Sequence, residues 1–120
     1  MTTVASILVA LVALLHVYFA VLEMLLWTTP RGRAAFGLEE GFAVESKSLA
    51  ANQGLYNLFL VAGLVWGLFA GGSMRTPVLV FFLSCVIVAG LFGAATVSRR
   101  VLLVQALPAA LALAAVLVSR

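Results

Sequence analysis

Four long apolar runs constrain the fold of this chain more than any other feature. They cover residues 4–27, 49–70, 77–97 and 101–118. As helices with a rise of about 1.5 Å per residue, these runs are roughly 27–36 Å long, close to the ~30 Å thickness of a bilayer's hydrocarbon core. Only helices and closed barrels satisfy their backbone hydrogen bonds in lipid, and such continuous runs are typical of helices. The sequence therefore predicts an all-α polytopic membrane protein, a four-transmembrane-helix bundle forming one domain over residues 1–120.

Composition excludes a water-soluble fold. Hydrophobic residues make up 65% of the chain and charged residues 9%, against roughly 45–50% and 25% in soluble proteins. The net charge is +3, but the cations lie in pairs at the ends of the apolar runs, and no basic face carries interleaved aromatic residues. This pattern is typical of membrane-end anchors, so we expect membrane lipid as a partner and no nucleic acid.

Prolines and a polar cap mark the expected helix ends. Pro30 cannot easily continue a helix, so the first span is predicted to end before it. Thr76 is predicted to cap the third helix, with Pro77 in its first turn. Pro108 is predicted to kink the fourth helix near Val104, because the proline ring clashes with that carbonyl.

The cations are distributed unequally between the two faces of the predicted bundle. Only Arg75 and Arg120 lie on the face of the termini, while five cations lie on the opposite face. Those five are Arg31, Arg33, Lys47, Arg99 and Arg100. The asymmetry predicts a multi-pass protein of the bacterial cytoplasmic (inner) membrane, with both termini outside.

Residues 28–46 form the only long connection, predicted to be cytoplasmic, and they mix charges of both signs with three glycines. Because connecting segments lie on the surface by default, we expect this loop to lie at the headgroups. A short interfacial helix through Phe36 and Phe42 fits that expectation. The other interpretation is a lid over a cytoplasmic entrance.

Glu23 is the only carboxylate within an apolar run. It lies about 6 Å inside the predicted cytoplasmic end of the first helix. His16 precedes it by seven residues, almost two helical turns, so both side chains face the same way. Charged groups at the centre of a span cost ~2.5–3.5 kcal/mol on insertion scales and usually face the bundle interior. We therefore predict that both groups point inward, as candidate catalytic residues, with Trp27 on the same stripe.

The second run supplies partners for these groups. At 100° per residue, four polar side chains occupy an arc of about 140° on the second helix. They are Asn52, Gln53, Tyr56 and Asn57. Counted inward from the shared loop, Asn52 and Gln53 fall at the depth of Glu23, and Asn57 falls at the depth of His16.

Thr96 and Gln105 extend this convergence to the third and fourth helices, in the layer of Glu23. Taken singly, both residues fit a structural role, because polar side chains commonly hydrogen-bond across membrane helices. Glu23 together with the polar side chains of the second helix favours a functional site, since an ionisable group in lipid carries a cost that amides alone would avoid. The predicted ligand-binding residues are Asn52, Gln53, Tyr56, Asn57, Trp27, Gln105 and Thr96.

Other site chemistries find little support. The chain has one His, no Asp, and Cys85 as its only cysteine, so a metal site of usual composition and an intrachain disulfide are not expected. No glycine loop of the kind that cradles phosphates is present, and we expect no cofactor. Small residues at four-residue spacing, such as Gly63 and Gly67 or Ala89 and Gly93, predict close helix packing within the bundle or in a homodimer.

Several stretches resemble a bacterial membrane family, domain of unknown function 1304. The resemblance rests on residues 16–27, 30–37 and 90–98, and above all on the run Ala-Asn-Gln-Gly-Leu-Tyr-Asn at residues 51–57. It covers essentially the full chain and implies a four-span membrane protein without implying an activity. The distinctive residues of this resemblance coincide with the polar residues described above.

Three functions are consistent with the sequence. The first is an intramembrane polar pocket that binds a small lipophilic molecule and isomerises it by proton transfer, with Glu23 as acid and base and His16 as its partner. The second is a proton-coupled exporter with a layout like that of the small multidrug resistance transporters. The third is a non-catalytic assembly or structural subunit. Whether the protein is an enzyme stays open at this point.

Overall fold

Four helices in the computed structural model, which describes residues 1–120, are long and apolar enough to cross a membrane. This confirms the predicted all-α, four-helix bundle. The helices are α1 (Thr3–Met24), α2 (Pro30–Phe36), α3 (Glu40–Glu45), α4 (Lys47–Phe69), α5 (Arg75–Thr96) and α6 (Leu107–Ser119). A 3-10 turn, Gly72–Met74, precedes α5, and a π-helical turn, Leu102–Ala106, precedes α6. The spanning helices are α1, α4, α5 and α6 with these turns.

The spanning helices form a closed ring in which each packs against its neighbours. Helix α1 packs against α4 and α6, and α5 packs against the same two helices. The bundle is elongated, with extents of 49 × 23 × 19 Å. We call the end that carries residues 25–46 and 97–101 the loop end, and the end that carries both termini the terminal end.

The apolar core fills the terminal half of the bundle. Eleven buried residues from all four spanning helices form it. They are Ala5, Val9, Val12, Ala13, Leu64, Leu79, Leu83, Val86, Ala109, Ala112 and Val116. Burial of such side chains excludes polar groups from this half, so the buried polar residues lie towards the loop end.

Glycines allow the helices to approach closely, as their spacing predicts. A Cβ atom at Gly63 would meet the ring of Phe82, and one at Gly67 would meet the side chain of Leu79. Both contacts join α4 to α5 within the bundle in the terminal half. In the loop half, Gly90 of α5 faces the backbone of Ala106 in the same way. These positions therefore serve packing inside one chain.

The first spanning helix ends earlier than predicted. Helix α1 stops at Met24, and the N–H groups of Leu25 and Leu26 both donate to the carbonyl of Val21. Thr29 then caps α2, with Pro30 at its first position. Pro30 thus opens a new helix, because its fixed φ suits a first turn and its missing N–H costs nothing there.

The connection of residues 28–46 contains two short helices where one was expected. Phe36 lies at the end of α2, and Phe42 lies in α3. Gly37, in the left-handed conformation with φ 66°, separates the two helices. Helix α2 is tied to the bundle, because Arg100 donates to the carbonyl of Ala35 at 3.3 Å.

The third spanning helix begins differently from the prediction. Helix α5 begins at Arg75 with Met74 as its N-cap residue and no side-chain cap bond. The assignment of Thr76 as the cap was therefore wrong. The preceding 3-10 turn feeds directly into the α-helix, so Thr76 already lies within its first turn.

The fourth span departs from α-helical geometry where Pro108 was predicted to disturb it. Residues Leu102–Ala106 form a π-helical turn, and the N–H of Leu107 donates to the carbonyl of Leu102. Pro108 has no N–H to donate, and its ring pushes away the carbonyl one turn earlier. The π-helical turn centres on Val104, so the predicted position of the disturbance is correct, but its form is a π-helical turn.

Candidate functional site

Glu23 points into the bundle and meets the amides of α4. Its side chain lies in the last turn of α1 and is only 2% exposed. Oε2 accepts a hydrogen bond from Nε2 of Gln53 at 2.6 Å. Oε1 accepts one from Nδ2 of Asn57 at 2.5 Å. The predicted inward orientation of this carboxyl, and its contact with the start of the second spanning helix, are confirmed.

Close contact between α1 and α4 makes this arrangement possible. Gln53 and Asn57 are four residues apart, so they project from one face of α4. Gly54 lies between them and is buried against α1, where a Cβ atom would meet the side chain of Met24 and the carbonyl of Ala20. Without a side chain at Gly54, the two amides reach the carboxyl group directly.

His16 lies deeper in the bundle and is fully buried. Its Nδ1 donates to the carbonyl of Val12 at 2.8 Å. Because a carbonyl only accepts, the proton of a neutral imidazole lies on Nδ1 and Nε2 is left as an acceptor. Nε2 accepts from Nε2 of Gln105 at 3.0 Å. The ring of Phe19 packs against the imidazole edge to face, with centroids 5.3 Å apart.

The π-helical turn places Gln105 against His16. Gln105 belongs to this turn, and the next residue, Ala106, packs against Gly90 of α5. A π-helical turn holds one residue more than an α-helical turn, so it shifts the direction in which the following side chains project. Such turns are frequent at functional sites.

The two layers of polar side chains differ in membership from the prediction. Asn57 was expected beside His16 but donates to Glu23, while Gln105 was expected beside Glu23 but donates to His16. Counting residues inward assumes straight helices with parallel axes. The π-helical turn in the fourth span and the length of the amide side chains both depart from that assumption.

Two other predicted residues lie on the surface of α4. Asn52 is exposed and Tyr56 is 58% exposed. Tyr56 packs edge to face against Phe59, with ring centroids 5.7 Å apart. Both residues lie within one turn of Gln53, on the side of α4 that faces away from the core.

Thr96 and Trp27 lie outside the polar centre. Thr96 donates to the carbonyl of Phe92 in its own helix at 2.7 Å. The indole Nε1 of Trp27 donates to Oγ of Ser46 at 3.0 Å. The indole ring packs against the ring of Phe36, with ring centroids 4.9 Å apart. Because α1 ends before Trp27, this side chain leaves the stripe of Glu23 and fastens the loop.

We call Glu23, His16, Gln53, Asn57 and Gln105 the polar cluster. It contains one carboxyl group and one imidazole from α1, two amides from α4 and one amide from the π-helical turn. No three His, Cys, Asp or Glu side chains lie together in a way that would hold a metal ion. The residues present can accept and donate hydrogen bonds and can transfer protons.

Sequence reasoning missed the role of Gly54. The signal lay in the run of residues 51–57, where a glycine interrupts an otherwise polar arc between two amides. A glycine within a spanning helix that also carries polar side chains marks a place where another backbone approaches.

The fold and the polar cluster together define an integral membrane four-helix bundle with a buried carboxyl group held by amides. The chain belongs to the family described as Protein of unknown function (DUF1304), whose family model matches residues 10–117. The matched segment contains the whole polar cluster. No curated protein and no solved structure matches the chain.

Proposed function

We propose that the protein binds a small lipophilic molecule at the polar cluster and isomerises it by proton transfer, with Glu23 and His16 as the proton-transferring groups. The observation that carries this proposal is the setting of Glu23, which is 2% exposed and hydrogen-bonded only to neutral amides. A carboxyl group in a spanning helix is costly, and such groups mark binding and proton-transfer sites. Amide pairs alone would fasten α1 to α4 without that cost.

The chemistry of the cluster fits an isomerisation. One group takes a proton from the ligand and a proton is returned at another position, so the reaction needs no co-reactant. General acid–base catalysis of this kind uses carboxyl and imidazole groups within hydrogen-bonding reach of the reacting atoms. Glu23 and His16 both face the interior of the loop half, and the amides can orient a ligand between them.

The apolar core favours binding over proton-coupled export. A carrier needs a path from its carboxyl group to both membrane faces. The eleven core residues fill the terminal half between the four helices. A ligand would therefore reach the polar cluster from the lipid or from the loop end.

Identification of lipophilic molecules that copurify with the protein tests this proposal. The wild type, Glu23→Gln and the control Ser84→Ala are purified in parallel, extracted with organic solvent and compared by mass spectrometry. Ser84 lies on α5, apart from the polar cluster. We expect one molecule to be enriched with the wild type and the control and lost from Glu23→Gln.

Two results would contradict the proposal. If all three proteins yield the same lipid extract, Glu23 holds no ligand and the cluster is structural, as expected of an assembly subunit. If wild-type protein in proteoliposomes transports the enriched molecule across the membrane when a proton gradient is imposed, the exporter is the correct function. Incubation of the enriched molecule with protein in D₂O tests isomerisation directly, because proton return would incorporate deuterium.

A further inference from the structure

We infer that the ligand of the polar cluster is a lipophilic amine, bound as its ammonium ion by Glu23 and by amide oxygens. This inference rests on the proposed function and names the class of molecule that the site accepts. Three observations lead to it: the absence of a protein cation beside Glu23, the free amide oxygens and the aromatic surface beside Gln53.

No cation within the protein balances Glu23. Both of its oxygens accept hydrogen bonds from amide nitrogens, and no acceptor within the protein receives a proton from either oxygen. His16 is not a counter-ion, because its two ring nitrogens contact Val12 and Gln105 and neither contacts Glu23. All seven Lys and Arg residues lie at helix ends or in connections. A charge within a membrane normally has a partner, so the ligand is expected to supply the positive charge.

Hydrogen-bond acceptors remain free around this carboxylate. Gln53 and Asn57 each use their amide nitrogen to bind Glu23, and their oxygens receive no hydrogen bond from the protein. The unpaired oxygen of Asn57 is not fully buried, because Nε of Arg33 is the only fully buried side-chain polar atom without a hydrogen-bond partner. Each amide oxygen has two lone pairs, and a carboxylate has about four acceptor sites. A primary ammonium group carries three N–H donors, which can bind to these unused acceptor positions. A quaternary ammonium group carries no N–H donor.

Aromatic surface suited to an alkyl or aryl tail lies on the exposed side of α4, one and two turns along from Gln53. Gln53, Tyr56 and Phe59 follow one another at three-residue spacing along α4. Tyr56 is 58% exposed and Phe59 is 54% exposed, on a helix that faces lipid. An ammonium group at Glu23 would place its tail along these rings, parallel to the acyl chains of the bilayer.

Probes that share one tail and differ in headgroup test this inference. Dodecylamine, dodecyltrimethylammonium, dodecanol and dodecanoate are titrated against full-length protein in phosphatidylcholine nanodiscs, with empty nanodiscs as the blank. We expect saturable binding of dodecylamine at least about tenfold tighter than that of dodecanol, because charge-assisted hydrogen bonds are roughly twice as strong as neutral ones. The trimethylammonium probe is expected to bind more weakly than the amine, and dodecanoate most weakly.

Variants connect the preference to the polar cluster. Glu23→Gln is expected to abolish the preference for the amine over the alcohol, and Ser84→Ala to retain it. Gln53→Ala serves as a second variant, because Gln53 is exposed and its removal leaves both the charge and the bundle in place. It is expected to weaken amine binding severalfold while keeping the order of the four probes.

The outcomes separate the inference from the proposed function. Binding of dodecanol or dodecanoate as tight as that of the amine, and dependent on Glu23, would overturn the amine inference and leave the binding function intact. Equal affinity for dodecylamine and dodecyltrimethylammonium would show that N–H donors of the headgroup do not contribute to binding, and would overturn that part of the inference. Absence of any saturable, Glu23-dependent binding would overturn the proposed function itself.

Discussion

The carboxyl group of Glu23 depends on both amides of α4, since each of its oxygens has one protein donor. Replacing Asn57 by Ala would leave Oε1 without a protein donor. Loss of a partner to a buried polar group costs about 1–3 kcal/mol, so we expect Asn57→Ala to lower the free energy of unfolding by that amount. The measurement is denaturant-induced unfolding in bicelles, with Ser84→Ala as the control.

A double-mutant cycle separates this hydrogen bond from a general packing effect. If Asn57 acts through the carboxylate, Asn57→Ala in a Glu23→Gln background will cost less than it does in the wild type, with a coupling energy of about 0.5–3 kcal/mol. Additive effects of the two substitutions would show that the residues do not interact.

The hydrogen bond between His16 and Gln105 is expected to contribute less to the stability of the bundle than the hydrogen bond between Asn57 and Glu23. Hydrogen bonds between membrane helices average about 0.6 kcal/mol in double-mutant cycles, so Gln105→Leu should destabilise the bundle only slightly. Its clearer effect will be on the imidazole, whose Nε2 loses its donor. We expect the ¹⁵N resonance of Nε2 to shift while Nδ1, bonded to Val12, keeps its proton. Unchanged resonances would contradict the assigned contact.

At the residue scale, the sequence predicted Glu23, His16, Gln53, Asn57 and Gln105 as site residues because polar groups in spanning helices need partners. It placed Gln53 beside Glu23 correctly, but it exchanged the partners of Asn57 and Gln105. Pairing depends on helix crossing and on the reach of each side chain, neither of which follows from a count of residues along the helices.

At the scale of the element, the contact between α1 and α4 depends on Gly54. A leucine there would meet the side chain of Met24 and the backbone of Ala20. We expect Gly54→Leu to separate the two helices beside Glu23 and to cost about 1–3 kcal/mol, the usual effect of overpacking. Gly41→Leu is the matched control, because a Cβ atom at Gly41 meets nothing within 4 Å. Equal effects of both substitutions on unfolding would contradict the close contact.

The π-helical turn is expected to depend on Pro108. In Pro108→Ala the residue regains an N–H group that can donate to the carbonyl of Val104, so the turn can relax to α-helical geometry. That change would rotate Gln105 away from His16. We expect the ¹⁵N shift of His16 Nε2 in Pro108→Ala to approach that in Gln105→Leu. A shift identical to that of the wild type would show that the turn has another cause.

Helix ends and the loop were the least predictable elements. Pro30 was predicted to stop a helix, yet the residue types that stop one helix also begin the next, so the start of α2 at Pro30 was not anticipated. Thr76 can cap a helix in sequence, but the 3-10 turn of residues 72–74 starts the helix earlier. Both cases depend on the path of the chain between spans, which hydropathy does not encode.

At the scale of the whole molecule, the unequal distribution of cations predicts the orientation of the bundle. In a Cys85→Ala background, Ser119→Cys and Glu40→Cys place single thiols at the terminal end and the loop end. If the termini lie outside the bacterial inner membrane, a membrane-impermeant maleimide will label Ser119→Cys in spheroplasts and Glu40→Cys only after permeabilisation. Labelling of both in intact spheroplasts would indicate dual orientation, and the reverse pattern would invert the topology.

The division of the bundle into an apolar terminal half and a polar loop half follows largely from sequence. Continuous apolar runs fixed the number of spans, and the depths of Glu23, Asn57 and Gln105 predicted a polar region near the loop. The closure of the terminal half did not follow, because it depends on which faces of Leu64, Leu79 and Val116 meet in the ring. The neighbour relations of the helices had to come from the structure.

A distance measurement in a bilayer tests the central claim most directly. With ¹³C at Cδ of Glu23 and ¹⁵N in the side-chain amides of Gln53 and Asn57, solid-state NMR reports whether the carboxyl group contacts both amides. We predict dipolar coupling to both nitrogens in lipid, and a change in these couplings when dodecylamine is added but not when dodecanoate is added. Absence of coupling to either amide would show that Glu23 faces away from α4 and would contradict the site described here.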